Sequence, residues 1–310
     1  MIYIIRKVAS GLITMLVIIT ITFILMHAIP GGPFDSERAL PESIINNLNV
    51  RYNLDAPLWE QYSNYVQSVL KGDLGPSIKH ETKTVNSIIK EGFPVSFLLG
   101  SIVLLAALLC GVMFGILSAL NKNKWFDYGA LMFSTIGISV PSFVLAALLI
   151  YYFSLKLGWF PAALWDGWTS MVLPVISLAW LPAAVITRLM RSSMLEIMSK
   201  DYIKAARARG IPTKALVIRH ALPNAVLPVI TYLGPTAAWI LTGSFVIEKI
   251  FAIPGLGQWF VLSISSRDYT VILGLTIFYS FILIGINILI DIVYTLLDPR
   301  IKIMGTGKGE

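Results

Sequence analysis

The chain alternates between long uncharged apolar runs and short polar interruptions. Uncharged runs occupy residues 8–29, 95–120, 129–155, 167–187, 221–247 and 269–290, and each reaches the roughly 20 residues a helix needs to cross a bilayer. The pattern predicts six transmembrane helices. The first run follows Arg6 and Lys7 but is too long for the apolar core of a signal peptide, so it is expected to stay attached as an anchor. Between the first two runs, PLWEQYSNYVQSVLKG sets Leu58, Tyr62, Tyr65, Val66, Val69 and Leu70 near helical spacing ahead of Gly72, a plausible stop. This predicts short amphipathic helices on the outer surface, which either cap the bundle against headgroups or dock a soluble partner.

Proline punctuates the third to fifth runs at Pro141, Pro174, Pro182, Pro223, Pro228 and Pro235. Each removes a helix hydrogen bond, which is tolerated where neighbouring helices or a water-lined cavity satisfy the freed carbonyl. Kinked helices around a pathway are the expectation. The runs hold no ionisable residue except His27 at the outer end of the first, so the midplane carboxylates or histidines of an ion-coupled carrier are missing. Asp291, at the inner edge of the sixth run, is expected to pair with Arg188 or Arg191.

Composition agrees with the pattern: 56% of residues are hydrophobic, 13% are charged, and the mean hydropathy is +0.76. The net charge of +7 is a topology signal. Arg6, Lys7, Lys122, Lys124, the basic residues of 188–219, Arg300, Lys302 and Lys308 fall on one side, while the short loops opposite hold only Lys156, Lys249 and Arg267. Both termini are therefore expected in the cytoplasm. These basic residues lack interleaved stacking aromatics, which argues against a nucleic-acid partner. Trp159, Trp165 and Trp168 suit an interfacial aromatic belt.

Catalytic chemistry finds no constellation. His27, His80 and His220 fall at the outer edge, in the outer segment and in the inner loop, so they cannot share a metal. HETKT (80–84) lacks the second histidine of a zinc-protease helix, and GTGKGE (305–310) lacks the spacing and preceding strand of a phosphate loop. Cys110 stands alone, which excludes an intrachain disulfide and leaves a packing role. Any nucleotide energy must enter through another polypeptide.

Residues 188–225 form the longest cytoplasmic loop and read as helix, turn, helix. Good helix formers run from Glu196 to Arg209, with Ile197, Ile203, Ala206 and the stem of Arg207 available for packing. Gly210 suits a left-handed cap, Pro212 stops the helix, and Thr213 can cap a second helix, KALVIRHAL, before Pro223. Ala205, Ala206 and Gly210 present little bulk to a partner's groove, while Arg207, Arg209 and Arg219 supply peripheral charge. Spacing alone leaves anionic lipid and a protein groove equally open.

KAARARGIPTKALVIRHALP resembles the EAA loop of the permease subunits of ABC-type importers, whose pattern runs E-A-A, three residues, Gly, nine residues, I-x-L-P. Ala205, Ala206, Gly210, Leu222 and Pro223 fall on that pattern; Lys204 replaces its Glu and His220 its Ile. MIYIIRK, HAIPGGPFD, APLWEQY, KGDLGPS, GFPVS, SVPSF, RSSM, GSFVIEKIFAIPGLGQ and LLDPRI extend the likeness along nearly the whole chain, to the B-type permease of oligopeptide importers. The resemblance implies an all-α integral membrane protein of six transmembrane helices with the type I importer permease fold. Its parts would be an N-terminal end and first helix (1–29), an extracytoplasmic segment (30–94), a five-helix core with the EAA loop (95–298) and a cytoplasmic tail (299–310). It further implies that Ala205, Ala206, Arg207, Arg209, Gly210, Ile211, Leu222 and Pro223 serve a coupling helix docked in a cytoplasmic ATPase. Two such ATPase subunits would hold ATP and Mg, with no cofactor in this chain. A homologous C-type permease would complete the pathway, and an extracytoplasmic binding protein would deliver peptide in a bacterial inner membrane. Glu248, Pro254, Gly255 and Gly257 sit where the family has an outer gate loop, or else form an interfacial turn. The alternatives are a dipeptide or nickel permease of the same family, a membrane scaffold, and a secondary transporter.

Overall fold

In the computed structural model, which describes residues 2–28 and 55–297, helices carry most of the backbone. Helix α1 (Ile2–Ala28) is the first expected span. Helix α2 (Leu58–Leu70) is the amphipathic helix of the outer segment, closing at Lys71 ahead of Gly72, whose φ is +79°. Residues 30–54 of that segment lie outside the described residues. Helix α3 (Val85–Leu120) starts ahead of its apolar run and carries Pro94 inside it. Helices α4 (Trp125–Ser139) and α5 (Ser142–Leu149) follow, α5 continuing as a π-helical stretch, Ile150–Lys156. Next comes α6 (Thr169–Met198) with Pro174 and Pro182 inside it, then α7 (Asp201–Ala208) and α8 (Thr213–Ala215). A second π-helical stretch, Leu216–Ala221, leads into α9 (Leu222–Ala225). The described residues close with α10 (Leu227–Leu241), α11 (Phe245–Ile250), α12 (Leu256–Ser266) and α13 (Tyr269–Leu297). Strand pairing among the described residues is limited to one bridge, Pro76 with Thr84.

Among the described residues five helical stretches are long and apolar enough to cross a membrane, and a sixth span is reached by counting α4 and α5 with its π stretch together. These two are bent by 105°, so the expected single helix over 129–155 is broken. The cause is Pro141: its ring disfavours helical geometry at the preceding residue, and Val140 is extended (φ −92°, ψ 119°).

The helices also outrun the apolar runs that predict them. Helix α6 continues to Met198, placing Arg188 and Arg191 inside it, and α4 opens two residues before Asp127. Ionisable groups besides His27 therefore sit in the spanning helices. Arg191 pairs with Asp127; the Asp291 side chain, expected to pair with Arg188 or Arg191, lies outside the described residues.

The chain divides into two compact units, residues 1–96 with 254–310 and residues 97–253. In the first, Val85, Ile88, Leu256, Val271 and Leu275 form a buried cluster, with Phe93 edge-on to Phe278 at 5.0 Å. Its outer segment is fastened by Asp268, a buried carboxylate just ahead of α13. Asp268 accepts from the Ser77 hydroxyl and from the backbone N–H groups of Ile78 (3.2 Å), Lys79 (3.3 Å) and Val271 (3.2 Å). The Ser77 oxygen in turn accepts from His80 N–H at 2.8 Å.

In the second unit α6 is the central helix. Small residues let its neighbours come close, as expected where lipid offers no hydrophobic drive and packing must hold helices together. A Cβ at Gly111 would lie 2.6 Å from Ile186 Cβ, and one at Gly115 would lie 2.5 Å from Met190 Cβ. On another face of α6, Phe133 of α4 packs on Trp180 with ring centres 4.6 Å apart.

Candidate coupling surface and its anchor

The loop after α6 departs from the expected helix over Glu196–Arg209. Lys200 adopts an extended backbone (φ −68°, ψ 149°), so α6 ends at Met198 and a separate α7 begins at Asp201. Ile203 and Ala206, at i and i+3, are both buried (0% and 2% exposed) and turn one face of α7 inward. Gly210 terminates the helix as its sequence implies. Its φ of +79° is a conformation that side-chain-bearing residues rarely adopt. The Gly210 N–H donates to the Arg207 carbonyl (3.0 Å) and the Ile211 N–H to the Ala206 carbonyl (3.4 Å), the paired bonds of a Schellman cap.

Thr213 does not cap the second arm. Pro212 occupies the cap position and Thr213 is already the first helical residue. The expected KALVIRHAL helix widens into the π stretch Leu216–Ala221. A widened turn gives room to the Pro223 ring, which clashes with the carbonyl four residues earlier in a regular helix. Leu216 and Val217 are buried, and Asn224 Nδ2 donates to the Tyr202 hydroxyl at 3.4 Å, joining the two arms.

The inward face decides which residues a partner could touch. Ala205, Arg207, Arg209, Gly210 and Pro223 are exposed, Ile211 and Leu222 are half-buried, and Ala206 is buried within its own chain. Ala206 therefore supports the loop by packing and adds nothing to its outer surface. That surface is small and basic, with Ala208 and Lys204 also exposed. The i,i+3 pair of Lys204 with Asp201 (2.9 Å) is solvent-facing and contributes little.

Below this loop lies an ion pair that the apolar pattern gave no cause to expect. The Asp127 carboxylate is 1% exposed and accepts from Arg191 through Nε at 2.6 Å and Nη2 at 2.8 Å. It also accepts from the Ser118 hydroxyl at 2.5 Å and the Asn123 N–H at 2.9 Å. Two parallel guanidinium bonds plus two more donors satisfy the buried charge. The result ties the end of α3, the following turn and the start of α4 to α6. Since α6 leads directly into α7 and the candidate coupling surface, Asp127 anchors the helix that carries it.

The expected gate residues divide between the units. Glu248 is fully buried in α11 of the second unit, and its carbonyl accepts from Ile253 N–H at 2.8 Å. Pro254, Gly255 and Gly257 belong to the first, where Gly255 caps α12 and the Leu256 N–H donates to Ser96 Oγ at 2.9 Å. That helix start is fastened, and Gly255 and Gly257 are buried.

Asp127, Asp268 and the environment of Arg188 escaped the sequence reading. Asp268 had a local signal, an acid directly before an apolar run. Asp127 stood in the first turn of a span, but its partner is 64 residues away.

Apolar helices long enough to cross a membrane, together with a basic helix–turn–helix excursion, define a multi-pass integral membrane protein. The chain belongs to the family of binding-protein-dependent transport system inner membrane components: the family's model matches residues 111–303, and the model for the N-terminal part of such membrane components matches residues 1–100. It is 50% identical to the dipeptide transport system permease protein DppB of Bacillus subtilis over 98% of this chain and 99% of that protein. It is 43% identical to the oligopeptide transport system permease protein OppB of Haemophilus influenzae and 38% identical to that of Escherichia coli K12, in each case over 97% of this chain and 99% of the relative. Its fold is similar to a chain in the crystal structure of an amino acid ABC transporter with histidines. That match has a TM-score of 0.53 and 17% identity, covering 67% of this chain and 93% of the other.

Proposed function

We propose that the chain is the permease subunit of an ATP-driven importer of peptides. The observation that carries the proposal is full-length similarity to permeases named for peptide transport, at 50% and 43% identity with 99% of each relative covered. Oligopeptide and dipeptide cargo stand equal, because the relatives include both kinds.

In this reading an extracytoplasmic binding protein hands peptide to a pathway formed with a homologous permease. Two cytoplasmic ATPases bind ATP and Mg and move α7 through its exposed face. With both termini in the cytoplasm, the excursion after α6, residues 199–225, lies on the ATPase side. The Asp127–Arg191 pair then passes the movement of α7 into α6 and α4 as one body. Peptides differ in their side chains, so recognition is left largely to the binding protein.

Gentle extraction through a C-terminal tag, followed by mass spectrometry, tests the assembly. Recovery of a second permease with nucleotide-binding subunits is expected. A chain that purifies alone, under conditions preserving a known importer, contradicts the proposal and favours a scaffold or a secondary transporter. Gly210→Asp is expected to leave membrane insertion intact and to abolish peptide import, since a side chain strains the left-handed cap (φ +79°) and, meeting no atom of this chain within 4 Å, projects toward the partner.

A further inference from the structure

Between α4 and α5 the backbone leaves the helix in the middle of an apolar span. Val140 is extended, and its N–H closes α4 on the Ile136 carbonyl at 2.9 Å. Pro141 has no N–H to offer the Gly137 carbonyl. The carbonyls of Ile138, Ser139 and Val140 accept no hydrogen bond among the described residues, because α5 starts afresh with Val144 and Leu145 donating to the Pro141 carbonyl. Beside them the Trp180 indole N–H is buried without a partner among the described residues, its nitrogen 2.9 Å from where a Cβ on Gly137 would stand.

Two observations fix the depth of this break. The uncharged stretch over residues 128–155 has Pro141 at its centre, 14 residues past Asp127 and 15 short of Lys156. Gly137 also packs against the middle of α6: its Cβ position is 2.6 Å from the Ala184 Cβ, and Ala184 is the sixteenth residue of that 30-residue helix. Four further residues carry the chain about 6 Å beyond that level, still inside a hydrocarbon layer of about 30 Å. Irregular backbone at such depth does not face lipid; it is covered by protein or reached by water. This chain does not cover it. Ile138 and Phe143 are 44% and 51% exposed, and Ser139 and Pro141 are exposed between them.

We propose that the break between α4 and α5 lines the translocation pathway and that the free carbonyls at the end of α4 bind the N-terminal ammonium of the passing peptide. This rests on the peptide reading above. Cargo that varies in every side chain keeps that ammonium, whose N–H donors match a set of carbonyl acceptors. The C-terminal end of α4 adds the negative pole of its dipole, and interrupted helices present such carbonyl ends to cations at membrane depth. Acceptors without a fixed charge hold a cation and still release it, as conduction requires. Pro141 is the positioning residue, because it keeps the carbonyls free.

The test uses the whole importer in proteoliposomes, with tripeptides whose free-amine and N-acetylated forms are both accumulated by a Cys110→Ala parent. In that background Ser139→Cys should react with a water-soluble, membrane-impermeant thiol reagent about tenfold faster than Leu16→Cys on the aliphatic face of α1, since a thiol reacts as thiolate and needs water. Saturating free-amine peptide should slow the reaction, and the acetylated form should not. Pro141→Ala returns an N–H and lets α4 run on. It should lower free-amine import about tenfold, the effect of one lost hydrogen bond to a charged group, and acetylated import far less, with the partner subunits still co-purifying. Ser139→Cys no more reactive than Leu16→Cys assigns the break to lipid or to the partner permease and overturns the proposal. Equal protection by both peptide forms, protection by neither, or equal losses in Pro141→Ala overturn it too. If the parent accumulates neither form, the peptide reading itself fails, an outcome distinct from a parent that imports peptide past an unreactive Ser139→Cys.

Discussion

Asp127 and Asp268 stand at the openings of helices in different units, and both are 1% exposed, yet they are satisfied in opposite ways. Asp268 collects neutral donors from the outer segment and from its own helix start, whereas Asp127 is held by a guanidinium from another helix. Losing a neutral-donor anchor leaves a few hydroxyl and amide groups to find water. Losing one half of an ion pair strands a charge. The contrast separates a loop fastener from a brace between helices, and substitutions can measure it.

The largest effect is expected from Arg191→Met, which leaves the Asp127 carboxylate buried without its charge partner at a cost of about 3–5 kcal/mol. Heating the detergent-solubilised protein and scoring the fraction that stays monodisperse should show little folded protein surviving. Asp268→Ala should cost less, about 1–3 kcal/mol for the unsatisfied donors it leaves. Its damage should appear as faster proteolysis near residues 73–84 with the helices retained. The smallest effect belongs to Lys83→Ala, which removes an ion pair with Glu91 whose side chains are 31% and 56% exposed; such pairs contribute under about 1 kcal/mol. Equal losses for Arg191→Met and Asp268→Ala would erase the distinction.

The same contrast explains what was legible in the sequence. The six apolar runs and the Gly210 cap depend on local pattern, and helix spacing with left-handed glycine is written within a few residues. The break at Pro141 was half legible: the proline was visible, but its 105° outcome depends on the packing of both arms. Thr213 misled because a capping residue type beside a proline yields the cap position to it. The Asp127–Arg191 pair was illegible because an uncharged run ends where charge begins, while a paired arginine continues a helix without difficulty. Ala206 shows the remaining limit. Its small size suits an interface and a core equally, and only the inward orientation of α7 assigns it to the core.

That orientation also offers the most direct test of the claim that α7 is gripped by a nucleotide-binding partner. Cys110 is the sole cysteine, so a Cys110→Ala background can carry Ala205→Cys or Ile203→Cys, two positions on opposite faces of the same short helix. In the intact complex, a maleimide–benzophenone attached to the introduced thiol and then photoactivated should link Ala205→Cys to the nucleotide-binding subunit and leave Ile203→Cys unlinked. Linkage from Ile203→Cys alone, or from neither position while that subunit remains bound, would contradict the coupling role of α7.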